Sequence, residues 1–261
     1  MSINWIKTGA ESANLAKQDE VEKALQKEQQ GLLWRFSLKD KEEARITFVD
    51  GDLSPEGFLI PPRFYEHGLW NESARTMTFY VCPEKTIPEA GHKCPLCAQG
   101  DKAALVAVFT IIDHREFTTK AGKKMGNQKR LLVAKPTSME MLTKIAVKRG
   151  GLAGATFDVT RMGDKSAAIG SMFDFVEKNP IATLQATFVE EVEVNGVKKV
   201  QTIFVPADYG KEIVFKTPEE MLKSGVGAHV HGGGFAGGTT PNLMSPGGSM
   251  ANKTSDYNKN L

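Results

Sequence analysis

The sequence predicts a mainly β fold with some helix: a five-stranded barrel with an inserted zinc-binding element, preceded by a helical arm and followed by a disordered tail. Three observations carry this. From Leu32 onward the apolar residues recur with a period of two. All three cysteines of the chain, Cys82, Cys94 and Cys97, fall in one short window. From Ser224 to Leu261 the composition shifts to Gly, Ser, Thr, Asn and Pro, with few bulky apolar residues.

Residues 1–31 form the expected arm. Glu20 to Gln30 is rich in Glu, Lys, Gln, Ala and Leu, with Val21, Ala24 and Leu25 at helical spacing and Gly31 as a C-cap. The core is expected over 32–223. Trp34, Phe36 and Leu38 alternate with Arg35, Ser37 and Lys39. Arg45-Ile46-Thr47-Phe48-Val49 follows, then the Asp50-Gly51-Asp52 turn, so these two runs read as a β-hairpin. Strands at 63–70 and 75–82 flank a turn near Asn71-Glu72-Ser73. Ala104 to Asp113 is an apolar, β-branched strand, and Lys129 to Ala134 another. Pro136 ends that strand, Ser138 caps a helix running to Arg149, and Gly150-Gly151 stops it. Strands at Thr156–Thr160 and Met172–Val176 come next, then an Asn195-Gly196 hairpin turn and a short helix from Pro218 to Lys223. Strands, one helix, then more strands is the order of an OB-type barrel. The tail, 224–261, cannot bury enough surface to offset its ordering entropy and is expected to be disordered. Its His229 and His231 read as bystanders in a glycine-rich linker.

Cys94-Pro95-Leu96-Cys97 has the spacing that lets two thiolates grip one tetrahedral Zn²⁺. A redox Cys-x-x-Cys is expected beside a βαβ pattern, which is absent, and disulfides would leave one cysteine odd. Cys82 supplies a third thiolate, and one histidine completes a Cys3His structural site within 63–98. Symmetric pairing of the hairpin sets His67 opposite Thr78, so the turn has to be looser to bring His67 to Cys82. Two ligand pairs, His67/Cys82 and Cys94/Cys97, favour His67; His92, two residues before Cys94, is the alternative ligand.

Hydrophobic residues make up 41% and charged residues 25% of the 261, the balance of a soluble globular protein. No apolar run reaches transmembrane length and the N-terminus shows no secretory pattern, so a cytoplasmic location and no membrane partner are expected. Net charge is only +2, yet residues 115–165 hold twelve Lys or Arg against four acids, a local +8. Such a block points to a polyanion. Single strands need cations for phosphates and aromatic faces for bases. Arg115, Lys120, Lys123, Lys124, Lys129 and Arg130 lie on a loop and its flanks, Phe117 sits among polar neighbours, and Lys148, Arg149 and Arg161 extend the path, with Lys165 beyond. Phosphate contacts carry little sequence choice. No phosphate-binding loop, His-Glu-x-x-His or Gly-x-Ser-x-Gly motif is present, so no catalytic residues are assigned and no enzyme is expected. A zinc-ribbon nuclease or primase-like enzyme and a zinc-stabilised protein-interaction scaffold are the rivals.

Trp34-Arg35-Phe36-Ser37-Leu38, Ala44 to Phe48, His67-Gly68, Cys82 and Cys94-Pro95-Leu96-Cys97 together resemble the single-stranded-DNA-binding, helix-destabilising proteins of tailed phages of the T-even type. The resemblance runs from Trp34 to about Val176. It implies a barrel with a zinc subdomain inserted between strands, His67 as the fourth ligand, and cooperative coating of single-stranded DNA during replication, recombination and repair in the host cytosol. Self-association along DNA and replication or recombination proteins as partners are implied with it. The resemblance stops at both ends. The N-terminus lacks a purely basic arm, and the tail lacks an acidic run, holding Lys253 and Lys259 against Asp256.

Overall fold

The computed structural model describes residues 32–71, 76–118, 122, 124–194 and 197–226, together with Gly9 and residues 12–13. The expected helix over 10–30 and nearly all of the tail therefore lie outside the described residues. Eleven strands are present among the described residues: β1 Glu43–Phe48, β2 Arg63–Asn71, β3 Thr76–Val81, β4 Ala104–Asp113, β5 Phe117–Thr118, β6 Lys124–Met125, β7 Gln128–Ala134, β8 Ala155–Thr160, β9 Met172–Lys178, β10 Val189–Val194 and β11 Val197–Thr202. Among the described residues six α-helices join them, α1 Pro83–Thr86, α2 Pro95–Ala98, α3 Pro136–Arg149, α4 Ile181–Thr187, α5 Tyr209–Glu212 and α6 Pro218–Lys223, with one 3₁₀ turn at Pro88–Ala90.

Seven strands form one antiparallel sheet in the order β3-β2-β4-β1-β8-β9, with β7 also paired to β4. β4 is the hub because its run Ala104-Leu-Val-Ala-Val-Phe-Thr-Ile-Ile-Asp113 is apolar at both parities and is buried on both faces. Arg63 and Ala134 both pair with Ala107, so β2 and β7 occupy opposite edges. β1 pairs Ile111–Asp113 on the β2 side, and β7 runs along Ala107–Asp113 on the other. The sheet is open: among the described residues no ladder joins β3 to β9.

One face packs Ile46, Phe48, Phe109, Ile111, Leu132, Phe157 and Val159 against Met139, Leu142 and Ala146 of α3. Phe48 meets Phe109 and Phe157 edge-on, each at 5.8 Å between ring centroids. The opposite face buries Phe64, Val81, Val106, Val108 and Leu131 with Ala207.

Two local expectations change. Residues 34–38 do not form a hairpin with β1, whose edges are both occupied, by β4 and β8. They lie parallel to β7 instead: the Leu131 N–H donates to Trp34 O (3.0 Å) and the Phe36 N–H to Leu131 O (2.8 Å). This seats Phe36 and Leu38 in the core while leaving Trp34 exposed. Helix α3 starts at Pro136, not after Ser138. Lys135 is extended, as a residue before proline prefers, and Ser138 is buried inside the helix. The stop is as expected: Gly150 is left-handed (φ +66°).

Candidate metal centre

The β2–β3 hairpin builds half of the site through strand alternation. Its register pairs Glu66 with Val81 and His67 with Tyr80, two residues looser than a symmetric turn allows. The Cys82 N–H donates to Tyr65 O (2.7 Å), extending the pairing by one residue. His67 and Cys82 are thus diagonal neighbours on one face, within reach of a shared ion. The segment after β3 supplies the other half. Cys94 precedes Pro95, the first residue of α2, and one helical turn brings Cys97 beside it. Leu96, Met221 and Val226 pack around the cysteines and seal them.

The four ligand atoms of His67, Cys82, Cys94 and Cys97 lie within 4.8 Å of one another. His67 Nε2 is 3.4 Å from Cys94 Sγ and 3.6 Å from Cys97 Sγ, and the Cys82 and Cys97 sulfurs are 3.6 Å apart. A tetrahedral ion with Zn–S and Zn–N bonds of ordinary length has edges of about 3.8 Å between sulfurs and about 3.6 Å between sulfur and nitrogen. The group can therefore hold one metal ion, with every position taken by protein. His92 is not one of the group.

Two further residues, which no spacing in the chain singles out, complete the surroundings. His67 is fully buried, and its Nδ1 donates to Asp101 Oδ2 at 2.6 Å. That bond turns Nε2 toward the sulfurs, the arrangement by which a carboxylate orients a metal-binding histidine. Asp101 is fixed in turn by its N–H, which donates to Leu96 O (3.0 Å). The Cys94 N–H donates to Glu84 Oε2 (2.9 Å). Burial pushes the metal-free Cys97 thiol up to about 12, with the neighbouring thiols adding to the effect. Burial also raises the Cys94 thiol, opposed by N–H groups of Cys97 and Leu96. Loading an ion must therefore displace protons from these sulfurs.

The basic residues singled out from sequence are scattered in role. Arg115 is bonded to Asp113 (2.7 Å) and Glu42 (2.5 Å), and its guanidinium lies over Phe36. Arg130 Nε is 3.0 Å from the same buried Asp113 carboxylate. Arg161 donates to Leu38 O and Asp164 O. Lys129 is half-buried, and burial pushes its pKa down. Arg149 lies 3.9 Å above the Phe175 ring, and Lys148 is exposed beside it on the last turn of α3. Phe117 is partly exposed on β5, opposite Met125. Lys120, Lys123 and the Lys124 side chain lie outside the described residues. Among the described residues the aromatics most open to water are elsewhere: Trp34 (77% exposed), Phe58 (64%) and Trp70 (51%). Phe79 is also open and carries the Arg35 guanidinium 3.9 Å above its ring.

No protein-family model matches this chain, and no curated protein or solved structure matches it either. No helix among the described residues is long and apolar enough to cross a membrane.

Proposed function

We propose that this chain is a non-catalytic zinc protein that binds and coats single-stranded DNA with little sequence choice, serving phage DNA replication, recombination and repair in a host cytosol. The observation that carries the reading is the buried His67, Cys82, Cys94 and Cys97 set. Four protein donors at tetrahedral spacing leave no position for water or substrate, which is the pattern of a structural zinc. His67, Cys82, Cys94 and Cys97 would hold it, and bound there it would clamp the hairpin to the segment after it. Function then falls to the surface around the knot, where aromatic faces and cations stand in water, the two chemistries that unpaired strands require.

The OB-type barrel is the finer reading of the open sheet. Residues 34–38 support it, because they bridge the free edge of β7 to the β8–β9 connection through Leu38 N–H donating to Ala168 O (2.7 Å). The resemblance to the phage helix-destabilising proteins, across Trp34 to about Val176, supports the substrate. A protein-interaction scaffold is the second reading, favoured by exposed Trp70 and Phe79.

One experiment separates them. Purified protein is analysed for metal and incubated with single- and double-stranded oligonucleotides, followed by native and denaturing gels. The expected result is about one zinc per chain, retention of the single strand alone, and intact DNA. Cleavage would make it an enzyme, and absence of retention would favour the scaffold.

A further inference from the structure

A cavity of about 490 Å³ opens between α3 and the strands β2 and β4. Its floor is apolar, made by Leu105, Ala107 and Met139. Its two lips are charged: Arg63 stands on β2, and Glu140 and Lys144 stand one turn apart on α3. Lys148 continues the α3 lip by a further turn, about 6 Å along the axis.

The cations here differ from those named in the basic loop. Arg115, Arg130 and Arg161 are held by carboxylates or carbonyls. Arg63, Lys144 and Lys148 are exposed and have no ion-pair or hydrogen-bond partner among the described residues. Unpartnered cations on opposite lips of an apolar trough match a ligand that alternates flat apolar rings with negative groups. The volume falls in the range of small-ligand sites, enough for about one or two nucleotides.

We infer that this groove is a seat for single-stranded DNA, with a base against Leu105 and Met139 and flanking phosphates on Arg63 and Lys144. The inference rests on the proposed function and adds to it a location outside the 115–130 loop. Glu140 is the one acid on the lips and opposes phosphate. Its removal should therefore tighten binding, a sign that loss of folding cannot imitate. Arg63 lies four residues before His67 on the same face of β2, so the strand that carries the metal ligand also carries this lip.

The test is fluorescence anisotropy of a labelled oligo-dT titrated with the full chain at several salt concentrations. Arg63→Ala and Lys144→Ala should each raise Kd about three- to tenfold and lower the salt slope by about one unit. Glu140→Gln should lower Kd, and Lys39→Ala, which is not among the residues lining the groove, should leave it unchanged. All four positions are exposed, and melting temperatures verify that each variant folds. In a second measurement, a halogenated-uracil oligonucleotide is photo-crosslinked and the adduct mapped; attachment within residues 136–144 is expected. If the unaltered chain binds oligo-dT but the Arg63, Lys144 and Glu140 variants bind equally well, the groove is not the seat and the proposed function stands. If the unaltered chain does not bind oligo-dT, the proposed function fails first and the groove with it. Adducts confined to 115–130 would also overturn the groove.

Discussion

His114 is wedged where β4 ends. Its Nε2 lies 2.8 Å from Thr47 Oγ1, its Nδ1 lies 2.8 Å from Asn127 Oδ1, and Phe188 packs 5.5 Å from its ring. Thr47 is itself buried and bonded to Thr156. Burial lowers the His114 pKa; Asn127, Asp113 and Asp158 pull it upward, while Arg45 pushes it further down. The net direction is down, so the folded chain holds the neutral ring and the unfolded chain takes a proton more readily. Stability from this residue is present above the unfolded value near 6.5 and is lost as pH falls through the folded one. His114→Gln retains a polar group at the Nε2 position, toward Thr47, without the titration. Urea midpoints should fall less for this variant than for the unaltered chain between about pH 7 and pH 5. An unchanged slope would show that His114 does not set it.

At the scale of elements, glycines decide how α3 hands over to β8. Gly150 ends the helix at φ +66° with open space around it. Gly154 begins the return at φ +78°, and a Cβ there would lie 2.3 Å from the backbone oxygen of Asn179. That oxygen sits beside the bond in which Asn179 N–H donates to Gly154 O (3.0 Å), so it cannot move away without breaking the β8–β9 start. Gly150→Ala should cost about 1 kcal/mol, the left-handed penalty alone. Gly154→Ala should cost about 2–4 kcal/mol, because strain and a backbone clash add. Equal losses in urea unfolding would refute the clash. The same elements show what alternation reveals. Period two located β1, β2, β4, β7 and β8 because each buries at least one face. It does not name partners, since parity specifies a face and not an edge. Alternation therefore pairs residues 34–38 with β1, although β1 has no edge left. Charge was equally legible in the 115–130 block, whereas the partners of Arg115 were not, because Glu42 lies 73 residues away. Cysteine spacing carried most of the metal group. Asp101 had no comparable signal, being a single acid beyond the knuckle whose role appears only when His67 is placed against it.

Across the whole molecule, two of the four apolar clusters among the described residues differ in what holds them together. The large one joins β1, β4, β7, β8 and α3 and contains no cysteine. The small one is built around Cys82, Cys94 and Leu96 and recruits Met221 from α6 and Val226 from three residues beyond its end. A cluster this small, in which the ligands are themselves core residues, depends on its ion: without metal, three thiols and an imidazole share one buried volume and satisfy one another poorly. The large cluster has no such dependence. Chelation should therefore unfold β3, residues 83–103 and α6 while leaving the rest of the sheet intact. Amide hydrogen exchange with and without a chelator checks this: protection should vanish in those segments and persist at Phe48, Phe109, Leu132 and Phe157. Asp101→Asn should reach the same partly unfolded state at a chelator concentration about ten- to a hundredfold lower, since it loosens His67 without removing a ligand. Global unfolding on chelation would show that the sheet and the knot form one cooperative unit. No change at all would show that the hairpin stands without metal, and the structural role assigned to the ion would fall.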